Sequence, residues 1–284
     1  MLSESRYEGS LSMPTTEDLA QRVKELEQRQ AELLGQLKTV ERERIEYLQN
    51  VSHQLVAPLN AIKWHIENLT SVRVSVERAQ KVLKSIYSQA TIAVHLAKNF
   101  NLMSNLEADH ALSRLKEPLR DVDLKRLLIN LANDFQPLAW DKEIDIGVRD
   151  IQFDAGPTVL AMKPLISQVF SNIIENAVKY SDRKTKIIIE GSFRKASSTF
   201  VVTVRNHGIK LPGEHCDDVF SRGFRTAEAK QKYPAGTGFG LYIAKRIVEI
   251  HEGKICARSA DGWTVFEVEL TVSGLRGKAR YEPE

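Results

Sequence analysis

Residues 236–255 read GTGFGLYIAKRIVEIHEGKI, and this stretch decides the class of the second half of the chain. Three glycines, at positions 236, 238 and 240, are followed at once by an apolar helical pattern. Glycine allows a backbone to approach a ligand closely, and the N-terminus of a helix favours an anion. The stretch therefore indicates a phosphate-binding loop. Its glycine spacing is not that of the dinucleotide-binding fingerprint, and the chain has neither a Walker A motif nor the protein-kinase motifs.

A second helical stretch, QVFSNIIENAVKYSD at residues 168–182, carries polar residues on one face. Asn172, Asn176 and Lys179 lie at spacings of four and three, which bring them to the same side of a helix. Asparagine oxygens can bind a hard cation such as Mg²⁺, which in turn holds phosphates, and the lysine adds positive charge. A solvated helix face shows the same pattern, so these residues alone leave both interpretations open.

Around these two stretches, residues 123–272 alternate between helix and strand patterns. We expect an α+β domain in which helices pack against one mixed sheet. The predicted helices are 124–140, 164–180 and 240–252, and the predicted strands are 144–148, 186–190, 199–204, 254–258 and 263–271.

The first half of the chain is predicted to be helical. A heptad seam typical of coiled coils starts at Leu19 and ends at Val40, with Gln30 as a polar interruption. A second seam, shifted by one residue, covers 45–69, and a third covers 76–100. Two long helices joined by a short loop form a hairpin, and two hairpins bury their seams as a four-helix bundle, so we expect a homodimer. Packing of the first helix against its own domain is the alternative to a dimeric coiled coil.

The composition excludes several classes of protein. With 284 residues, 42% of them hydrophobic, the chain can form about two domains. Its 40 Lys+Arg and 37 Asp+Glu are too evenly balanced for a nucleic-acid-binding protein. Neither a membrane-spanning apolar run nor a signal peptide is found, and the two cysteines have no metal-ligand spacing. We therefore expect a cytoplasmic protein without a membrane span.

Taken in order, the motifs resemble those of the sensor histidine kinases of two-component systems. The resemblance covers about residues 45–271. The family's phosphoacceptor box is matched by VSHQLVAPLNAI (51–62), and its N box by NIIENAVKYS (172–181). Its first glycine box is matched by VRNHGIKLP (204–212), and its F box by VFSRGFR (219–225). Its second glycine box is matched by residues 236–255, and its final strand motif by GWTVF (262–266).

The resemblance implies a multidomain chain: an N-terminal coiled coil and helical hairpin that form a dimeric four-helix bundle, followed by an α+β ATP-binding sandwich of the GHKL (Bergerat) type. The boundaries that we expect are a disordered tail (1–17), a coiled-coil signalling helix (18–44), a dimerisation and histidine phosphotransfer domain (45–110), a linker (111–122), the ATP-binding catalytic domain (123–272) and a second tail (273–284).

The resemblance also implies residue roles. His53 would be the phosphoacceptor, Gln54 would orient its ring, and Asn176 would hold Mg²⁺. Residues 225–236 would form a mobile lid over ATP, and the phosphoryl group would pass to an aspartate in the receiver domain of a response regulator. The nucleotide would contact Asn172, Asn176, Lys179, Tyr180, Asn206, Gly208, Arg225, Gly236, Thr237, Gly238, Gly240, Leu241 and Thr264.

Three of the positions that depart from the family's motifs bear on activity. Gln54 stands where an acidic residue usually accepts the histidine proton, and because such help is worth about 10²–10⁴ in rate, we expect slow autophosphorylation. Ala57 replaces the Thr or Asn that positions water for dephosphorylating the regulator, which predicts weak phosphatase activity. Asn206 replaces an Asp that hydrogen-bonds adenine, which predicts weaker ATP binding.

These departures leave an alternative open: a degenerate pseudokinase or phosphotransfer scaffold that acts by dimerisation and binds ATP weakly. A protein that receives its phosphoryl group from another protein would need His53 but no nucleotide. A chaperone or topoisomerase ATPase of the same fold would lack the phosphoacceptor hairpin. The sequence does not identify the upstream sensor, the stimulus, the cognate regulator, or the chain whose nucleotide would phosphorylate His53.

Overall fold

The computed structural model describes residues 16–71, 74–106, 118–149, 157–194, 197–211, 213, 217–234 and 236–275. Two compact units make up the chain, one ending at Gln49 and the other beginning at Asn50. The predicted tails lie mostly outside the described residues, as does the first part of the predicted linker. Cys216 also lies outside them.

The helical half begins with helix α1 (Thr16–Ser71), followed by helix α2 (Val76–Leu106). In the first unit, the described seam residues of α1 are all more than half exposed: Val23 53%, Leu26 64%, Leu33 57%, Leu37 55% and Val40 51%. This stripe has the heptad pattern of a coiled coil, and the described residues of the chain leave it largely uncovered.

In the second unit, the remainder of α1 and helix α2 form the predicted hairpin. Its seams are only partly covered, since Leu59 and Leu83 are 54% and 56% exposed.

The α+β half contains the predicted helices and strands together with several more. Its helices are α3 (Leu124–Ala139), α4 (Lys163–Tyr180), α5 (Ala227–Lys232) and α6 (Gly240–Ile250). Its strands are β1 (Arg120–Asp123), β2 (Asp145–Val148), β3 (Pro157–Ala161), β4 (Lys186–Arg194), β5 (Thr199–Asn206), β6 (Lys254–Ala260), β7 (Trp263–Thr271) and β8 (Gly274–Leu275).

The strands form two sheets rather than the single sheet that we predicted. The larger sheet has the order β2-β4-β5-β7-β6, with β2 and β4 parallel and the other neighbours antiparallel, so it is mixed as expected. The smaller sheet has the order β1-β3-β8. It was missed because its strands are short, and their pairing depends on residues distant in the chain.

The core lies where α4 and α6 pack against each other over the large sheet. Its residues include Ile173, Ile174, Ile187, Ile189, Ile243 and Ile247, each of which is fully buried. The start of α3 is fixed by Asp123, whose Oδ1 accepts a hydrogen bond from the backbone N–H of Arg126 at 3.0 Å. Helix α4 carries Pro164 in its first turn, as predicted.

Three predicted boundaries need correction. Residues 120–122, assigned to the linker, belong to β1, where Arg120 pairs with Ala161. Residues 274 and 275, assigned to the C-terminal tail, form β8 against β3. Residues 16 and 17, assigned to the N-terminal tail, are the first residues of α1. In each case a local pattern that is polar or very short joins an element because of its partners.

Each helix that the structure describes is too short or too polar to cross a bilayer.

Candidate functional site

A cleft opens beside α4, between the N-terminus of α6 and the ends of β5 and β7. Its empty volume is about 950 Å³, a figure that includes the space at its open mouth. Every residue that the resemblance assigned to the nucleotide lines this cleft, with the exception of Gly208. The structure thus brings together residues that lie up to 92 positions apart, from Asn172 to Thr264.

The glycine loop at the start of α6 requires its second glycine. Gly238 has a φ of +74°, in the left-handed region, and a Cβ at this position would lie 2.7 Å from the carbonyl carbon of Gly223. No L side chain fits such a close approach of two backbone segments. The loop and the first residues of α6, Gly240 and Leu241, line the cleft, and Gly240 lies against Asn172, whose Cγ would be 3.6 Å from a Cβ at position 240.

Gly208 has a structural role instead of lining the cleft. A Cβ at Gly208 would lie 2.1 Å from the carbonyl oxygen of Tyr180, because the loop after β5 runs directly against the end of α4. The backbone N–H of the next residue, Ile209, donates a hydrogen bond to that same oxygen at 3.3 Å. Gly208 therefore fixes the end of α4, which carries Lys179 and Tyr180 into the cleft.

The two asparagines of α4 differ in their surroundings. Asn172 is 1% exposed; its Oδ1 accepts a hydrogen bond from Gln168 Nε2 at 3.3 Å, and its Nδ2 has no partner among the described residues. A buried amide without a partner is costly unless a ligand accepts its hydrogen bond. Asn176 is less buried and also lines the cleft.

The donor set fits Mg²⁺ bound together with phosphate. Among the described residues, no group of three or more His, Cys, Asp or Glu side chains could hold a metal ion. The Asn176 oxygen is a hard ligand of the kind that Mg²⁺ prefers, and Mg²⁺ commonly takes only one or two protein ligands, with phosphate oxygens and waters completing its shell. A site built on Asn176 is therefore compatible with Mg-ATP.

A buried charge cluster joins α4 to α2 at the cleft, and of its members the sequence analysis singled out only Lys179. The carboxylate of Glu175 forms an ion pair with Lys179 Nζ at 2.6 Å and contacts His95 Nδ1 of α2. Burial raises the pKa of Glu175, but Lys179 and His95 lower it by more, so that the pKa is held well below its ordinary value. Burial lowers the pKa of Lys179, but Glu175 raises it by more, and its pKa lies above the ordinary value. Both groups are therefore charged at neutral pH.

The far end of the cleft is formed by two buried polar residues on paired strands. Asn206 and Thr264 are 2% and 5% exposed and lie opposite each other in the β5–β7 register. Thr264 Oγ1 donates a hydrogen bond to the carbonyl oxygen of Ile209 at 2.6 Å, which directs the hydroxyl away from solvent. This is the end that the resemblance assigns to adenine.

The predicted lid contains helix α5 and is organised by Arg225. The Arg225 guanidinium donates to the carbonyl oxygens of Gly236 at 2.7 Å, Ala229 at 2.9 Å and Pro234 at 3.0 Å, and it also contacts that of Tyr233. We define these four carbonyls as the lid carbonyls. Arg225 thus lines the cleft as predicted, but the contacts that the structure gives it are with the backbone of the lid.

His53 and Gln54 lie on the hairpin. His53 is exposed, while Gln54 is partly buried and lines the cleft together with Leu96 and Asn99 of α2. The sequence analysis did not single out Leu96, Asn99 or His95. A signal was present, because His95 and Asn99 are polar residues spaced by four beside the apolar seam of α2.

Comparisons with known proteins agree with this site. Residues 162–274 match the family described as histidine kinase-, DNA gyrase B- and HSP90-like ATPases. The chain is similar to the sensor protein kinase WalK of Staphylococcus saprophyticus (30% identity, covering 78% of this chain and 35% of WalK). It is also similar to a WalK of Staphylococcus aureus (28% identity, 78% of this chain and 52% of the relative). The chain thus spans only a third to a half of these curated relatives.

A solved structure shares the fold over most of the chain. The structure of full-length ShkA in complex with AMPPNP superposes with a TM-score of 0.53 at 21% identity, covering 80% of this chain and 46% of ShkA. The matched family segment contains α4, the glycine loop and the paired strands of the cleft. Residues 162–274 thus match the histidine kinase-, DNA gyrase B- and HSP90-like ATPases, and over 78% of its length the chain is similar to sensor protein kinases.

Proposed function

We propose that this chain is a protein-histidine kinase that autophosphorylates His53 with Mg-ATP and transfers the phosphoryl group to an aspartate in a response regulator receiver domain. The observation that carries the proposal is the composition of the cleft. It combines Asn172, Asn176 and Lys179 of α4 with the glycine loop, and its wall includes Gln54, the residue that follows the exposed His53.

The proposed chemistry needs position and charge more than covalent machinery. Phosphoryl transfer depends on alignment of the reacting atoms and on stabilisation of the phosphate charge. Asn176 would hold Mg²⁺, which neutralises phosphate charge when bound. Lys179 is kept protonated by Glu175 and supplies a fixed positive charge. The N-terminus of α6 adds the favourable end of a helix dipole.

The exposure of His53 supports its proposed role in accepting a phosphoryl group and passing it on. His53 is exposed, so its ring is accessible to a partner protein. Gln54 can orient the ring through a hydrogen bond but cannot take its proton, which therefore goes to water. Ala57, also exposed and one turn further along α1, offers no hydrogen bond to a water, and we expect weak phosphatase activity.

The exposed seams support a homodimer. The apolar stripe of the first unit and the partly exposed Leu59 and Leu83 of the hairpin are surfaces that a second copy would bury. Upstream input would reach this dimer through a sensor that the sequence does not identify.

The test is incubation of the purified chain with Mg²⁺ and γ-radiolabelled ATP. We expect a label that is labile in acid and stable in base on the wild type, and none on His53→Gln or Asn176→Asp. ATP binding without label on the wild type would overturn the proposal and favour the scaffold alternative. Label transferred from a phosphorylated protein in the absence of nucleotide would favour the phosphotransfer alternative.

A further inference from the structure

The wall of the cleft nearest His53 is built from the same chain. Gln54 of α1 and Leu96 and Asn99 of α2 line the cleft together with the residues of α4 and the glycine loop. All of these residues belong to the unit that begins at Asn50. The ATP-binding domain therefore lies against the hairpin of the same chain. Two polar contacts join the two parts.

The first contact is the buried cluster of His95, Glu175 and Lys179. His95 and Glu175 are 4% and 7% exposed, and the ring of His95 packs edge-on against Phe135 of α3 at 5.7 Å between centroids. Separating α2 from α4 would take an imidazole away from a buried carboxylate. Leaving a buried carboxylate without one of its hydrogen-bonding partners is costly, so this contact favours the docked arrangement.

The second contact is a chain of side-chain amides. Gln168 Nε2 donates to Asn99 Oδ1 of α2 at 2.9 Å and to Asn172 Oδ1 at 3.3 Å. This chain of amides ends at Asn172, which lines the cleft and whose buried Nδ2 has no partner among the described residues. A residue of the hairpin is thus linked, through Gln168, to a residue of the cleft wall.

These contacts place the phosphoacceptor beside its own nucleotide site. His53 precedes Gln54 on a continuous helix, and neighbouring Cα atoms are about 3.8 Å apart. The histidine of a second copy would have to enter a cleft whose wall is already occupied by the chain's own hairpin.

We propose that His53 is phosphorylated by the nucleotide bound in its own chain, and that His95 and Asn99 position the ATP-binding domain for this step. The proposal rests on the proposed kinase function. In the step, a ring nitrogen of His53 forms a bond to the γ-phosphorus while the bond from that phosphorus to the β,γ-bridging oxygen breaks. ADP leaves with the electron pair, and the ring proton passes to water.

The experiment uses two mixed dimers, made by co-expressing chains with different affinity tags and purifying through both tags. The first dimer pairs His53→Gln with Asn176→Asp. The second pairs a wild-type chain with the double variant His53→Gln/Asn176→Asp. Each is incubated with Mg²⁺ and γ-radiolabelled ATP beside the wild-type dimer, and the chains are separated by size before counting.

Transfer within one chain predicts loss of label in the first dimer, and label in the second at the same level per intact chain as in the wild type. Transfer between chains predicts label in the first dimer and no label in the second, and that result would overturn the proposal. If no mixed dimer can be recovered, the two single variants are mixed at high concentration, and label on Asn176→Asp would equally overturn it. A wild-type dimer without label refutes the kinase function itself. Label in the first mixed dimer refutes only transfer within one chain.

The positioning role has its own readout. His95→Leu removes the imidazole but leaves the Glu175–Lys179 pair. We expect the rate of His53 labelling to fall about tenfold at saturating ATP while the affinity for ATP stays within about twofold. The matched control is Lys98→Ala, an exposed position on the same helix, which should leave the rate unchanged. Unchanged labelling in His95→Leu, or an equal loss of ATP affinity, would refute the positioning role.

Discussion

Glu175 shows how much one side chain can contribute to this cleft. It lies four residues before Lys179, a spacing that favours an ion pair on a helix, and it reaches His95 of another helix as well. Both partners make the carboxylate the favoured form, although the group is almost completely buried. Its removal should therefore affect the folded state as well as the site.

We expect Glu175→Gln to lower the free energy of unfolding by about 3–5 kcal/mol, because it leaves Lys179 buried without an anionic partner. Urea denaturation followed by circular dichroism measures the change. The control is Glu249→Gln on α6, which breaks an ion pair between two exposed side chains, Glu249 (42% exposed) and Arg246 (45% exposed). This substitution should lower the free energy of unfolding by less than about 1 kcal/mol. Equal effects of the two substitutions would contradict the prediction.

The same residue predicts a pH dependence. The pKa of Glu175 is lower in the folded chain than in the unfolded chain, so its stabilising contribution is complete above the unfolded value, near 4.3, and is lost as the pH falls below it. The difference in unfolding free energy between the wild type and Glu175→Gln should therefore be constant above about pH 6 and shrink between about pH 5 and pH 3. Denaturation at each pH measures it, and a constant difference down to pH 3 would refute the assignment.

Ala57 carries a prediction about the reverse reaction. The substitution Ala57→Thr adds a hydroxyl one turn after His53, at an exposed position where it can position a water. We expect it to accelerate dephosphorylation of the phosphorylated regulator about tenfold or more, while His53 labelling changes little. Ala57→Val, which has a similar shape and no hydroxyl, is the control. Rapid dephosphorylation by the wild type, with no gain from Thr, would show the prediction to be wrong.

The sequence alone predicted which polar residues share one face of a helix. It did not predict which polar residues of different helices contact each other. The spacing of Asn172, Asn176 and Lys179 predicted their common face, and the structure places all three in the cleft. His95 meets Glu175 across 80 residues of chain, and local spacing contains no information about such a contact. Gly208 was assigned to the nucleotide because it lies in a glycine motif, whereas its position is required by the carbonyl of Tyr180.

At the scale of elements, the lid is the part of the site that depends most on a single side chain. Helix α5 has only Ala229 buried, so packing does little to hold it. The lid carbonyls are instead gathered by the planar guanidinium of Arg225. The N-terminus of α5 is capped by Thr226, and Lys232 ties its other end to Asp182 at 2.8 Å.

We expect Arg225→Lys to loosen the lid although it keeps the positive charge, because one ammonium cannot donate to all the lid carbonyls. Trypsin should cleave after Lys230 and Lys232 several times faster than in the wild type, and ATP affinity should fall about tenfold. The matched control is Arg246→Lys, an exposed arginine of α6 with one ion pair. Unaltered cleavage and unaltered affinity would indicate that the lid is held by other contacts.

The elements that were predicted correctly have strong local patterns. The apolar helices α4 and α6 and the β-branched strands β4, β5 and β7 are confirmed, with ends shifted by a few residues. The missed elements, β1, β3, β8 and α5, have only two to six residues each. They form because a partner strand or Arg225 supplies hydrogen bonds that no window of sequence can reveal.

At the scale of the whole molecule, the order of motifs predicted two halves with a helical hairpin first and an α+β domain second. It did not predict how the hairpin lies against α4, since the amide contact joins residues 69 positions apart. That arrangement depends on surface complementarity, which emerges only after both halves have folded.

The exposed seam of α1 predicts a measurable change in mass. Leu33→Lys/Leu37→Lys puts charges at two apolar positions of the stripe and should weaken dimerisation by at least tenfold, because burying an unpaired charge in an apolar seam is costly. Sedimentation equilibrium compares the variant with the wild type. The control Gln21→Lys/Gln28→Lys adds the same charge away from the seam and should leave the mass unchanged. A monomeric wild type, or equal masses in all three proteins, would contradict the prediction.

The single parallel pairing in the large sheet bears on how the site is assembled. Strands β2 and β4 pair in parallel, and a parallel pair can be joined only by a crossover, which here contains β3 and α4. Such non-local pairings close late in folding, since a long loop must be ordered first. The helix that carries Asn172 and Asn176 lies within this crossover. We therefore expect this helix to reach its final position in the same late step of folding in which β2 pairs with β4.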